Sequence, residues 1–232
     1  MPRETLVLLP GLLNTRRLFE RQIEDLADIA DVIVAEPWRH DTLAAAAEAA
    51  LDEAPERFAL GGFSLGGYAC FEILRQAPER VTRLALIDTQ ATADTPEQSA
   101  RRRGLIEQSR IGRFKGVQPS LLPTLVHPSR LGDPAIVQPI AEMAAEVGAD
   151  GFRNEQTVAI SRPDSRPLLI EIKVPTLVIV GRQDQVTPLA RAHEMAADIA
   201  HSHLVVIEDA GHMTPLEKPA EVSAALRRWL TL

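Results

Sequence analysis

Leu60-Gly61-Gly62-Phe63-Ser64-Leu65-Gly66-Gly67 is the stretch that decides how this chain folds. Within it, Gly62-Phe63-Ser64-Leu65-Gly66 has the form G-x-S-x-G, with an apolar run at residues 58–60 before it and an apolar helical pattern after it. A strand that turns straight into a helix forces the serine into a strained backbone. Glycines two positions to either side remove side chains that would collide across the turn. The hydroxyl is left exposed above a sheet, at a helix N-terminus that favours negative charge. With 13 Gly and 9 Ser among 232 residues, random order would yield the pattern only about 0.03 times. A phosphate loop is a poor alternative: neither G-x-G-x-x-G nor G-x-x-x-x-G-K-[ST] occurs here, and no lysine follows.

Outward from this turn, short runs rich in Leu, Val and Ile recur at residues 5–9, 32–35, 58–62, 83–88, 176–181 and 203–208. They do not alternate with polar residues, which is the habit of parallel strands covered by helices on both faces. Helical patterns lie between them at 14–29, 41–54, 65–76, 187–199 and 221–230. Thr187-Pro188 reads as an N-cap followed by a proline in the first helical position. This rhythm predicts an α/β fold: a doubly wound, mostly parallel sheet of about six strands with helices on both faces.

The rhythm breaks between about residues 91 and 166, where helix signals continue without a convincing strand. Thr95-Pro96-Glu97-Gln98 combines an N-cap, a proline and a capping-box partner, and Asp133-Pro134 opens a helix in the same way. Helical character continues through 141–147 and 152–160. The expected organisation is a core of residues 1–90 and 167–232, with a helical insertion at 91–166. The insertion holds ten basic and nine acidic residues, a net of +1, so the remainder carries −8.

Composition narrows the function. The formal charge of −7 argues against a general nucleic-acid binder, which needs a basic face. One cysteine, Cys70, excludes an intrachain disulfide and multi-cysteine zinc patterns; it suits a reducing cytoplasm. The early apolar stretch 6–13 is interrupted by Pro10 and Gly11 and lacks the flanks of a signal peptide. No run approaches the ~18 apolar residues of a membrane span, so neither nucleic acid nor membrane is expected as a partner.

A serine is a weak nucleophile until a general base, itself oriented by an acid, takes its proton. His212, in Ala210-Gly211-His212-Met213, follows the last apolar run, and Asp184, in Gly181-Arg182-Gln183-Asp184, follows the one before. Both therefore fall at the C-terminal edge of the sheet, where sites of open α/β folds gather. Asp88 also ends a run and is the rival acid, although the Gly-x-x-Asp context favours Asp184. Asp209, three residues from His212, reads as a loop cap. His193-Glu194 begins like H-E-x-x-H without the second histidine, so His193, His201 and His203 read as surface residues, and no metal is expected. His40 and His127 lack the Gly-His context. Cys70 reads as a small core residue.

The order Ser64, Asp184, His212 and the motifs Leu-Leu-Pro-Gly-Leu-Leu, Gly-Gly-Phe-Ser-Leu-Gly-Gly, Val-Gly-Arg-Gln-Asp and Ala-Gly-His-Met resemble the α/β-hydrolase superfamily, among its small esterase-like members. The resemblance spans residues 5 to 219. It implies a Ser64–His212–Asp184 triad, a cap formed by 91–166, and an oxyanion hole made by the backbone N–H groups of Leu12 and Leu65. Two departures stand out: Pro10-Gly11 replaces the family's usual His-Gly, and Glu36-Pro37-Trp38-Arg39-His40-Asp41 replaces its Gly-rich loop after the second strand. The family's first hairpin is also missing. Leu12, Leu13, Phe63, Met213, Leu121 and Leu122 suggest an apolar acyl pocket. The expected function is hydrolysis of a small carboxylic ester or thioester, without a cofactor. The alternatives are C–C bond hydrolysis, acyl transfer or elimination by the same triad, or a non-catalytic receptor. Serine at the elbow argues against dehalogenase and epoxide hydrolase chemistry, which use aspartate there.

Overall fold

The computed structural model describes residues 3–232, so Met1 and Pro2, at the start of the expected core, lie outside the described residues. Six strands form, one at each apolar run: β1 Glu4–Leu9, β2 Ala30–Val34, β3 Phe58–Phe63, β4 Val81–Ile87, β5 Thr176–Gly181 and β6 Ser202–Ile207. They make one sheet in the order β2-β1-β3-β4-β5-β6, and every pairing is parallel. The helices in chain order are α1 Glu20–Leu26, α2 Leu43–Glu53, α3 Leu65–Gln76, α4 Pro96–Arg110, α5 Leu122–Leu125, α6 Pro134–Ser161, α7 Arg166–Leu169, α8 Leu189–Asp198, α9 Thr214–Glu217 and α10 Pro219–Leu230.

Successive side chains of a strand point to opposite faces, and both faces of this sheet are filled. Val7, Leu9, Leu60, Leu84, Leu86, Val178 and Val180 join a cluster with Ala47, Leu51, Phe71 and Ile73 of α2 and α3. Leu6, Leu8, Ala85, Ile87, Leu177 and Ile179 join another with Phe19, Leu26, Leu226 and Trp229. This is why the strand sequences are mostly apolar and do not alternate. Among the described residues, no helix is long and apolar enough to cross a membrane.

Between β4 and β5, which are neighbours in the sheet, residues 91–166 contribute helices and no strand. Thr95 caps α4 with the expected box, its hydroxyl accepting from the Gln98 amide while the Gln98 side chain accepts from the Thr95 amide. Asp133 caps α6. The expected helical stretches 141–147 and 152–160 lie on either side of Gly148, whose φ of 68° and ψ of −174° break α6 into two pieces. Such a backbone is open to glycine at little steric cost.

Two local expectations differ. The stretch 14–29 is not one helix: a 3-10 turn at Arg16–Phe19 precedes α1. Thr187 does not cap α8. Pro188 occupies the cap position without a side-chain bond, and the Thr187 hydroxyl donates to Asp184 instead. A hydroxyl needed by a buried carboxylate is withdrawn from the helix end.

Candidate active site

The elbow sits where β3 becomes α3. Ser64 has φ 51° and ψ −114°, a conformation that L-residues rarely adopt. It is held from several sides. Its N–H donates to the Ile87 carbonyl at 2.9 Å, and its own carbonyl accepts from the Thr89 hydroxyl at 2.7 Å. The flanking glycines are required by space. A Cβ on Gly62 would lie 2.6 Å from Cys70 Sγ, and one on Gly66 would overlap the Leu9 carbonyl. Gly66→Ala is therefore expected to destabilise the protein by about 3 kcal/mol or more, measured by urea unfolding. A midpoint equal to that of the parent would contradict the close approach of α3 to β1.

The loop after β6 brings His212 to the elbow. Its Nε2 lies 3.0 Å from Ser64 Oγ, and its Nδ1 lies 2.8 Å from Asp184 Oδ2. An ionised carboxylate can only accept, so Nδ1 carries the ring proton and Nε2 is left to accept from the serine hydroxyl. The ring also packs against Phe63, with centroids 5.0 Å apart. The backbone around it is pinned. The His212 N–H donates to the Leu125 carbonyl at 2.8 Å. The buried Glu217 carboxylate accepts from the amides of Gly211 at 3.0 Å and Met213 at 3.1 Å through one oxygen, and from that of His127 at 2.7 Å through the other.

Asp184 is buried and saturated with donors. Oδ1 accepts from the Val186 and Thr187 amides at 2.8 and 2.9 Å, and Oδ2 from the Thr187 hydroxyl at 2.7 Å. Burial opposes its ionisation, yet His212 and the Thr187 donors hold its carboxyl below the usual aspartate range. Asp88 is engaged elsewhere. It accepts from the Gly181 amide at 2.8 Å and from the Thr214 hydroxyl. Burial and the nearby Asp184 push its carboxyl well above the ordinary value. Asp209 is exposed, with φ 52°, and makes no side-chain hydrogen bond among the described residues, so it caps nothing. His193, His201 and His203 are exposed, and His127 turns its ring to Ser129.

The loop after β1 lies opposite. Leu65 is the first residue of α3, so its N–H has no intrahelical acceptor. The Leu12 N–H makes no hydrogen bond among the described residues. Leu13 has φ 61°, and its N–H donates to Glu155 Oε2 at 2.9 Å, 142 residues away. Glu155 is fully buried, and its other oxygen has no partner among the described residues. Burial pushes its carboxyl up to about 8, against the pull of the Leu13 amide.

A cavity of about 460 Å³ opens onto these groups, between the sheet's C-terminal edge and the helices of 91–166. Leu12, Leu13, Phe63, Ser64, Leu65, His212 and Met213 line it, as does Leu121. Leu122, expected beside Leu121, packs against the core cluster instead. Sequence reading passed over Glu217 and Glu155, gave Thr187 to a helix cap, and left Arg101–Arg103 on a solvated helix face, whereas Arg101 and Arg102 line the cavity. Of these, Glu155 had a signal: it falls at helical spacing among Phe152, Val158 and Ala159, on the buried stripe of α6.

A parallel sheet carrying a serine elbow, with a histidine and a carboxylate on neighbouring strand ends, is the arrangement of the α/β-hydrolases. Residues 36–219 match that family, and the chain belongs to the alpha/beta hydrolase fold family. As a member of it the chain is a hydrolase, and its named relatives include esterases and a lactonase. A pimeloyl-[acyl-carrier protein] methyl ester esterase from Neisseria meningitidis is 30% identical over 214 residues, which cover 88% of this chain and 80% of that protein. A 3-oxoadipate enol-lactonase from Acinetobacter baylyi is 28% identical over 198 residues, 82% of this chain and 70% of that protein. Among solved structures, a malate-bound thermophilic esterase from Thermogutta terrifontis is 30% identical with a TM-score of 0.90, covering 98% of this chain and 89% of that one.

Proposed function

We propose that the chain hydrolyses a small carboxylic ester or thioester through an acyl-enzyme on Ser64. The observation that carries this reading is the unbroken string from Ser64 Oγ to His212 Nε2 at 3.0 Å and from His212 Nδ1 to Asp184 Oδ2 at 2.8 Å, opening into the cavity. His212 takes the hydroxyl proton as Ser64 Oγ bonds to the carbonyl carbon, and Asp184 stabilises the imidazolium that forms. The oxygen of the tetrahedral adduct sits against the Leu12 and Leu65 amides. In other enzymes, removing one such donor costs about 10²–10³ in rate. His212 then hands its proton to the departing alkoxide or thiolate. Water, deprotonated by His212, attacks the acyl carbon, releases the acid and restores the serine.

In this reading residues 91–166 act as a cap that excludes water and shapes the acyl site, with Leu13, Phe63 and Met213 against the substrate. The partner is a small acyl molecule. A cytoplasmic setting suits the lone, buried, unpaired Cys70. Relatives named as a methyl ester esterase and an enol-lactonase support oxygen-ester cleavage.

The test is turnover of p-nitrophenyl butyrate together with labelling by a fluorophosphonate. We expect steady release of p-nitrophenol and a single phosphonylated residue, Ser64, found by peptide mass spectrometry. Absence of both from folded protein would sink the reading.

A further inference from the structure

The cavity over Ser64 is one-sided in charge. Arg101, Arg102, Arg113 and Lys115 line it, and no aspartate or glutamate does, although the whole chain carries −7. All four cations come from α4 and the segment that follows it, whereas the serine and both amides belong to the loop after β1 and the turn from β3 into α3. Arg101, Arg113 and Lys115 make no ion pair among the described residues.

The wall behind them is also built positive. Arg102 donates to Asp94 and to Gln156, both at 2.8 Å. The same Asp94 carboxylate is shared with Arg162 at 2.6 Å. Two guanidinium groups thus face one carboxylate. Arg162 is only 4% exposed and keeps one buried nitrogen, Nη2, without a partner. Its guanidinium lies 4.2 Å from the ring centre of Tyr68. Tyr68 and Gln156 both face the cavity. Arg162 also donates to the Thr92 and Ala159 carbonyls at 2.9 and 2.7 Å, so it is a held charge behind the lining. The same lining is apolar at Leu12, Leu13, Phe63 and Phe114. A bound acyl group therefore meets two chemistries.

We infer that the substrate of this site carries an anionic group, a carboxylate or a phosphate, on the part remote from the scissile carbonyl, and that Arg101, Arg102, Arg113 and Lys115 receive it. This rests on the ester-hydrolase reading and gives it a substrate class. A neutral ester fills the apolar end and leaves the cations hydrated. An anionic one places its charge beside Arg101, Arg113 and Lys115, which have no carboxylate partner among the described residues, while Arg102 is shared with Asp94. Interactions of this kind steer association and weaken as salt screens them.

The test uses matched methyl esters: methyl pentanoate, monomethyl glutarate, which adds a terminal carboxylate, and the corresponding methyl ester with a terminal phosphate. Acid release is followed at low ionic strength near neutral pH. We expect kcat/KM for at least one anionic ester to exceed the neutral one by about tenfold, a gap that closes towards about 0.5 M NaCl. The larger of the two anionic values identifies carboxylate or phosphate. In the doubly substituted Arg101→Gln/Arg113→Gln protein the anionic-to-neutral ratio should fall several-fold. Because the ratio is taken within one preparation, incomplete folding cancels. Hydrolysis of the neutral ester with a ratio at or below one overturns the inference and leaves the esterase reading standing. Hydrolysis of none of the three, with Ser64 unlabelled by fluorophosphonate, overturns both.

Discussion

Ser64→Ala is expected to lower kcat/KM for an aryl ester by about 10⁴–10⁶-fold, leaving the melting temperature close to that of the parent. The size follows from the geometry. Ser64 Oγ is the one group 3.0 Å from His212 Nε2 that can form the acyl bond. Without it the cavity and its amides can only orient a water molecule. Alanine keeps the Cβ that the elbow already accommodates at φ 51°, and the backbone bonds from the Ser64 amide to Ile87 and from Gly67 to the Ser64 carbonyl persist. His212→Ala should cost nearly as much, and the double substitution little more, because residues that act as one unit are strongly non-additive. The measurement is a progress curve at high enzyme concentration, paired with fluorophosphonate labelling. Retention of kcat/KM within tenfold would remove Ser64 as the nucleophile.

Glu155→Gln is expected to change how stability depends on pH, by roughly 5 kcal/mol across the range from about pH 4.5 to pH 8. Burial moves this carboxyl from the ordinary 4.5 to about 8. Below 4.5 it is protonated whether the chain is folded or not, so pH has no effect through it. Between 4.5 and 8 the unfolded chain has lost the proton and the folded chain keeps it. The native state then binds more protons, and stability falls by ~1.4 kcal/mol per pH unit. Above 8 both states are ionised and the fall stops. Glutamine removes the titration and keeps an oxygen for the Leu13 amide. Urea unfolding at four pH values between 5 and 8 should give a flatter line for the variant. Parallel lines would mean that Glu155 ionises freely in the folded protein. Glu155→Ala adds a second loss, since the Leu13 N–H at φ 61° is then left without its acceptor.

The sheet was legible because its signals are local or periodic. The four inner strands are buried on both faces, so their apolar runs need no knowledge of their neighbours to be recognised, and the half-buried edge strands β2 and β6 keep the same composition. The capping box at Thr95 lies within a few residues of the helix it opens. The elbow is partly the same kind of signal: Gly62 is demanded by collisions across one turn, whereas Gly66 is demanded by the distant Leu9 carbonyl at the end of β1. Thr187 misled although its partner is also local, three residues earlier in the same loop. Its pattern suits a helix cap, but Asp184, brought near by the loop after β5, competes for the hydroxyl.

From the sequence alone came the α/β architecture, the serine elbow and the order of Ser64, Asp184 and His212, all set by sterics and periodicity acting over a few residues. The tertiary structure decided that His212 meets Asp184 while Asp88 turns to Gly181 and Thr214. It also decided that Glu217 clamps the histidine loop, that Glu155 is buried against Leu13, and that the cations of 91–166 face the cavity without a carboxylate among them. These depend on which distant groups share one small volume. Burial, proton affinity and net field belong to that neighbourhood, and no short stretch of chain encodes them.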